Sequence, residues 1–405
     1  MPVYAHHSSR RRFLCTGAAA LAALAVRADD TIELPFENGS RPLVKYPQKR
    51  PLIRLTSRPP QLETPFAVFN ENVITPNDAF FVRYHLTLSP PAMALLGPDK
   101  FRLAVKGSVA KPLSFSIAEL KKFEPVEVLA VNQCSGNSRG FFEPRVPGGQ
   151  LGHGAMGNAR WRGVRLKDVL ARCEPQAGAR QVVFDGLDKP LLPQTPDFLK
   201  AIDTDQALDG EVLLAYAMNG EDLPWLNGYP LRLVVPGYYG TYWVKHLHEI
   251  TVSDEQFNGY WMNPAYRIPD NACGCIEPGT TPTRTVPITR FNVRSFITSH
   301  AEGARWRHTE PLAVRGIAFD GGYGIREVLF SFDAGKSWRA AELGKDLGKY
   351  SFREWSLTVS LPAPGTFALQ CKATNRIGQS QPSTPLWNPA GYMRNVVETV
   401  SITAL

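Results

Sequence analysis

Residues 271–287 most constrain how this 405-residue chain can fold, because Pro278-Gly279-Thr280-Thr281-Pro282 lies at the centre of a Pro-, Thr- and Gly-rich stretch. Such a segment suits neither a helix interior nor a central strand, so it reads as a linker. The sequence differs in character on its two sides. From 29 to 251, apolar β-branched runs alternate with helical stretches at 116–122, 166–173 and 196–208, a mixture that reads as α+β. From 291 onward the chain reads as short strands. Residues 327–332 alternate, 333–337 turn at Gly335, and a second strand starts at Trp338, which makes a hairpin. Residues 366–374 and the polar turn 375–381 repeat the strand-then-turn pattern. A β-sandwich of roughly 100 residues is the natural reading. No solenoid-type repeat is present.

Within the first region, the run 126–131 is short, apolar and β-branched, and it leads into Cys134-Ser135-Gly136-Asn137-Ser138-Arg139. A cysteine at a strand's end can be a small buried hydrophobe. Here Arg139 and Arg145 favour the thiolate, the form that ligates a metal or attacks an electrophile. A hydrolytic cysteine also needs a base, and no spacing nominates one. The segment Phe80-Phe81-Val82-Arg83-Tyr84-His85 sets a cation and an imidazole two apart, on one face of an extended run. A surface arginine beside a hydrogen-bonded histidine explains that spacing equally well. Residues 227–245 run from Asn227 through Arg232 to Trp243, Val244 and Lys245, with Pro236-Gly237 between, and two cations there can neutralise a phosphate. The chain contains no G-x-G-x-x-G or Walker sequence, no paired C-x-x-C motif and no C-x-x-C-H haem site.

Ser9-Arg10-Arg11-Arg12-Phe13-Leu14 followed by a small apolar stretch reads as a twin-arginine export signal over residues 1–28, with cleavage after Ala28. That stretch is too short for a permanent membrane span. The route carries folded, usually cofactor-loaded proteins to the periplasm. Cleavage removes Arg10, Arg11, Arg12 and Arg27 and no acid, which lowers the formal charge from +8 to +4. The remainder has no basic, aromatic-laced run for nucleic acid. Five cysteines stay: Cys134, Cys173, Cys273, Cys275 and Cys371, an odd number that leaves one thiol unpaired or committed to a ligand. Cys273-Gly274-Cys275 reads as structural or incidental, since cysteines one residue apart rarely bridge.

Taken in order, the Arg-x-His segment, the Cys134 loop, Gly154-Ala155-Met156-Gly157-Asn158-Ala159-Arg160-Trp161, Asp185-Gly186-Leu187-Asp188 and the 227–245 block resemble the sulfite oxidase family of molybdoenzymes. Segments 42–63, 131–140 and 387–395 look most like its periplasmic bacterial sulfite dehydrogenases. The resemblance implies a molybdopterin-binding catalytic domain over 29–285 and an immunoglobulin-like sandwich of the dimerisation type over 286–405. It implies that Cys134 is the protein's ligand to molybdenum, the other sulfurs coming from a pyranopterin dithiolene. On the same resemblance, Arg83 would bind the anionic substrate, His85 would line the pocket, Tyr266 would be the active-site tyrosine, and Arg139 and Arg394 would add cations. Phe81, Asp188, Asn227, Arg232, Trp243, Val244 and Lys245 would, by the same resemblance, hold the pterin and its phosphate.

Departures from the family accompany these matches. Asn227 stands where many members have His, and Tyr84 precedes His85 where vertebrate and plant members have Asn. The vertebrate active-site Trp is replaced near Leu151 or His153, and nothing in the first residues resembles a cytochrome b5 domain. The activity implied is oxidation of sulfite to sulfate, with single electrons passed to a c-type cytochrome subunit or soluble cytochrome c, since this chain has no haem motif. Self-association through the C-terminal unit and pairing with a cytochrome subunit both fit. Two other readings are an oxygen-atom-transfer reductase of the sulfoxide type or component of a thiosulfate-oxidising complex, and, from another class, a cofactor-free periplasmic binding protein.

Overall fold

The structure is a computed structural model that describes residues 31–34, 36, 37, 39–97 and 99–405; the export signal expected at 1–28 lies outside them. Two sheets form the heart of the first region. One orders Leu199–Asp203, Gln181–Gly186, Leu247–Ser253, Leu103–Gly107 and Leu113–Phe115; the other orders Glu221–Asp222, Leu213–Met218, Met156–Arg165 and Val126–Gln133, with Arg232–Val234 also paired to Leu213–Met218. The longest pairing runs from Val126 opposite Gly163 to Gln133 opposite Met156. It is pinned by the Trp161 indole, which donates to the Ala130 carbonyl at 3.0 Å from a fully buried position. Helix Leu166–Cys173 packs Leu166, Val169, Leu170 and Cys173 inward, where the sequence places it. Helix Ile117–Leu120 begins in a reciprocal cap between Ser116 and Glu119.

The stretch 196–208 corrects the expected helix. Its first half is the strand Leu199–Asp203, paired antiparallel with Gln181–Gly186, and only Thr204–Leu208 is helical. Lys200, Ala201 and Ile202 are all buried here, so edge pairing on a buried sheet overrides the local helical pattern.

The C-terminal region is a sandwich. One sheet holds Arg294–Ile297, Leu312–Phe319, Arg353–Val359 and Glu342–Leu343; the other holds Ala304–Trp306, Thr399–Ala404, Gly365–Asn375, Ile325–Ser331 and Arg339–Ala340. Leu312, Val328, Phe330, Trp355, Leu369 and Ile402 fill the space between them. The expected hairpin forms, with Leu329 opposite Ala340 and Phe330 opposite Arg339, so its second strand starts just after Trp338. A further apolar cluster bridges the two regions: Val131, Met156, Phe198, Tyr239 and Tyr266 from the first meet Phe296, Ile317, Phe319 and Phe352 of the sandwich.

Residues 271–287 are more structured than a linker. Thr285–Pro287 pairs with Arg267–Pro269, and the Ile276 amide donates to the Trp387 carbonyl at 2.9 Å. Cys273 and Cys275 form a disulfide across Gly274, against the expectation that such close cysteines stay unbridged. Gly274 adopts a φ of +60° that lets the short ring close, and the Asn271 amide fixes it by donating to the Cys275 carbonyl at 2.8 Å. Cys134, Cys173 and Cys371 are free. No helix among the described residues is long and apolar enough to cross a membrane.

Candidate active site

The strand Val126–Gln133 delivers Cys134 to a cavity of about 640 Å³, counted with its open mouth. The loop that follows is tightly specified. The Cys134 amide donates to Ala155 O at 2.9 Å, the Asn137 amide returns to Cys134 O at 3.0 Å, and Asn137 Oδ1 accepts from the Ala155 amide at 3.0 Å. A Cβ at Gly136 would stand 2.8 Å from the Arg139 guanidinium, so any larger residue there must displace the end of that side chain. The free Cys134 thiol, half-buried, is thereby held at the cavity wall.

Cations dominate the far side. Arg83, Arg232 and Lys245 line the cavity against a single carboxylate, Asp188. Arg232 lies between Trp161 and Trp243, its guanidinium 4.8 and 5.7 Å from their rings, and donates to Asn227 O at 2.8 Å and Trp243 O at 3.3 Å. Burial pulls it down to about 9, so it stays charged at neutral pH. The Lys245 ammonium donates to the Arg83 carbonyl and sits 4.0 Å from the Tyr84 ring centre. Burial pushes Lys245 down and Asp188 up, and each one's charge opposes the other's shift.

His85 and Tyr266 close another wall, in hydrogen-bond contact through His85 Nε2 and the phenol oxygen. His85 stacks on Phe198 at 4.0 Å and meets the Trp261 edge at 4.7 Å. Burial first, then Arg83, Lys245 and Lys200, holds its imidazole well below the usual histidine range, so it is neutral. Burial likewise raises the Tyr266 phenol, which keeps its proton.

Phe81, Arg83, His85, Cys134, Asp188, Asn227, Arg232, Trp243, Val244, Lys245 and Tyr266 therefore converge on one cavity, as the sequence suggests. Arg139 and Arg394 do not line it. The Arg139 guanidinium packs 4.9 Å from the Tyr392 ring centre and its Nε donates to Ala390 O at 3.1 Å; Tyr392 in turn stacks on Tyr266 at 5.2 Å, so Arg139 is one ring removed from the cavity. Arg394 is spent on Glu398, with Nε and Nη2 at 3.2 and 3.1 Å from its oxygens. Leu151 and His153, the expected replacements for an active-site Trp, are not among the lining residues: Leu151 is in the core, and His153 stacks on Phe141 at 4.3 Å. Aromatic rings on the cavity come instead from Phe80, Phe81, Phe198, Trp243 and Tyr266; Phe198 is backed by Trp261 at 5.3 Å, and no motif spacing marks either of these two.

Sequence reasoning also misses Asn132, Ser135, Thr241 and Lys49. The first three carry buried oxygens with no partner, as does the Arg232 Nε, and all four residues line the cavity. Four unsatisfied polar atoms around one cationic cavity are costly unless a polar ligand meets them, one that accepts from the Arg232 Nε and donates to Asn132 Oδ1. No cluster of three or more His, Cys, Asp and Glu able to hold a metal exists among the described residues. The protein thus offers a metal one soft thiolate, and any further ligands must arrive with the group itself. These features fit a phosphate-bearing pterin whose own sulfurs hold the metal.

Residues 89–261 match the family described as oxidoreductase molybdopterin binding domain, and residues 285–404 match the Mo-co oxidoreductase dimerisation domain. The chain is 34% identical over 396 residues to the mitochondrial sulfite oxidase of Rattus norvegicus, covering 92% of this chain and 69% of that protein. It is 34% identical over 371 residues to the sulfite oxidase of Gallus gallus, covering 87% and 78%, and 28% identical over 384 residues to that of Arabidopsis thaliana, covering 89% and 96%. In fold it is similar to a chain in the crystal structure of the sulfane dehydrogenase SoxCD from Paracoccus pantotrophus, with a TM-score of 0.70 at 23% identity over 96% of this chain and 92% of that one. Fold and cavity together define an oxidoreductase built around a molybdenum–molybdopterin cofactor. Among such enzymes, this chain belongs to the sulfite oxidase family.

Proposed function

We propose that this protein oxidises sulfite to sulfate in the periplasm, after twin-arginine export, and passes the two electrons singly to a c-type cytochrome. Sulfite and water yield sulfate, two protons and two electrons, so two turnovers of a one-electron acceptor complete each cycle. The bound cofactor supplies the oxygen-atom transfer and the temporary store for the electron pair. Cys134 would hold its metal, while Arg232, Lys245, Asp188 and Asn227 would hold the pterin and its phosphate.

The chain's own share of the reaction is to neutralise and orient an anion. Arg83 presents a planar guanidinium fork matched to an oxyanion. The phenol of Tyr266, kept protonated by burial, donates a hydrogen bond where charge builds as oxygen moves. Neutral His85 braces that phenol without adding a competing charge.

The observation that carries this reading is the imbalance of three cations to one carboxylate around the Cys134 thiol. It favours an inorganic anion over a neutral sulfoxide, although with Arg139 and Arg394 outside the cavity the argument rests on Arg83 and its neighbours. The test is the visible spectrum of oxidised c-type cytochrome with the molybdenum-loaded protein, before and after sulfite, without oxygen. Rapid reduction supports the proposal. No reduction by loaded protein overturns it as stated and moves the reductase reading ahead.

A further inference from the structure

The Cys134 loop is fastened from outside its own region. Arg294 opens the first strand of the sandwich and is 1% exposed, yet its Nη2 donates to Ser138 Oγ at 2.7 Å and to Glu398 Oε1 at 3.1 Å. Arg394 takes the other Glu398 oxygen at 3.1 Å, so one carboxylate holds two guanidinium groups. Ser138 is itself constrained: its φ is +69°, its amide donates to Gly152 O at 2.6 Å, and its Oγ meets His153 Nδ1 at 2.6 Å. Two further fasteners come from the same side, the Met393 amide to Ser135 O at 3.0 Å and the Arg139 Nε to Ala390 O. All three grip the loop within five residues of Cys134.

Arg294 is the costly member of this set. Its Nε and Nη1 are buried without partners, and desolvation is incompletely offset by one carboxylate shared with Arg394. An apolar side chain would fill the same volume more cheaply, so the residue's use lies in what Nη2 holds. That is Ser138, at the far end of the four-residue turn that follows Cys134.

We propose that Arg294, through Ser138 and the Glu398 carboxylate, is a positioning residue for Cys134: the sandwich sets the direction from which the thiolate meets its metal. This rests on the reading of Cys134 as the metal ligand. A partner that orients a ligand without touching the metal typically changes activity or metal affinity by about ten- to a hundredfold when removed. Arg294 has the geometry of such a partner, one hydrogen bond and one turn of chain away.

The experiment uses purified holoenzyme of R294M, R294K, E398Q and C134S, each assayed for molybdenum content and melting temperature. The paramagnetic resonance signal of the half-reduced metal and kcat and KM for sulfite are then compared. We expect R294M to be folded and loaded, with a displaced resonance signal and kcat lowered about tenfold while KM stays near its original value. R294K keeps a donor for Ser138 and restores part of the signal. A wild-type signal in loaded R294M overturns the inference. Should R294M fail to fold, E398Q decides in its place, because it removes the charge that anchors Arg294 while leaving the cation: a shifted signal supports the proposal and an unshifted one overturns it. If C134S keeps the wild-type signal, the ligand assignment falls, and the positioning role with it. A C134S change alongside an unchanged R294M rejects the positioning role alone.

Discussion

Lys49 reaches across 178 positions of sequence to donate to Asn227 Oδ1 at 2.6 Å, beneath the floor of the cavity. The same ammonium donates to Phe80 O at 3.0 Å and Asn77 O at 2.5 Å, while Asn227 passes its amide to Phe81 O at 3.0 Å and accepts from Arg232. A buried lysine thus ties together residues from both ends of the cofactor site. Replacing it by methionine leaves three acceptors without a partner, so K49M should lose stability, with about 1–3 kcal/mol for each buried group left unsatisfied. Denaturant titration and molybdenum stoichiometry check this; unchanged values for both would show that the contacts are energetically idle.

Arg83→Ala should raise the KM for sulfite by roughly ten- to a hundredfold, because a hydrogen bond to a charged group is worth about 1.5–3 kcal/mol. Steady-state kinetics on loaded enzyme reads it directly. An unchanged KM would put Arg83 outside the substrate's reach.

Cys134→Ser should abolish turnover and leave the fold intact, since the change is nearly isosteric and the loop is held by backbone bonds to Ala155 and Gly152. Circular dichroism against the wild type, with activity in parallel, separates the two effects. Sulfite oxidation at the wild-type rate would remove Cys134 from the chemistry.

Glu63 gives stability a pH signature. It is buried, accepts from the Gly152 amide at 3.1 Å, and burial pushes its carboxyl up to about 7, with Arg41 and the Gly154 amide pulling the other way. Between about pH 4.5 and pH 7 the folded protein retains a proton that the unfolded chain releases, so stability falls as pH rises through that window and levels off above it. The loss is at most about 3 kcal/mol. Melting curves of wild type and E63Q across that range should diverge by this amount, and parallel curves would mean that Glu63 ionises freely when folded.

Removing the Cys273–Cys275 bridge in the double serine variant should cost little. The cross-link closes a ring across a single intervening residue, and loop-closure entropy for so few residues is worth roughly 2 kcal/mol or less. A small fall in melting temperature is the expected result. A large fall would mean that the turn built on Asn271 depends on the bridge.

How much of this could be read from the chain depended on whether the signal was local. The strand ending at Cys134, the helix Leu166–Cys173 and the sandwich hairpin follow from period and turn residues within a few positions, and the structure has them. Residues 199–203 read as helix because nothing nearby reveals that Gln181–Gly186 will offer an edge to pair with. The same limit explains Lys49, Phe198 and Trp261, whose site contacts join distant segments. Arg139 and Arg394 sit in recognisable motifs, but a motif does not say toward which neighbour a long side chain turns: Glu398 and Tyr392 capture them.

The apolar cluster that joins the two regions limits how freely their sequences can be recombined. Tyr266 and Phe198 line the cavity and belong to the same apolar cluster as Phe296, Phe319 and Phe352 of the sandwich. A chimera that takes its sandwich from a relative would therefore inherit a different backing for its own reaction chamber, even with every cavity residue retained. In this architecture the sandwich shares its packing with the wall of the cavity, and the two regions would have to be exchanged as one unit.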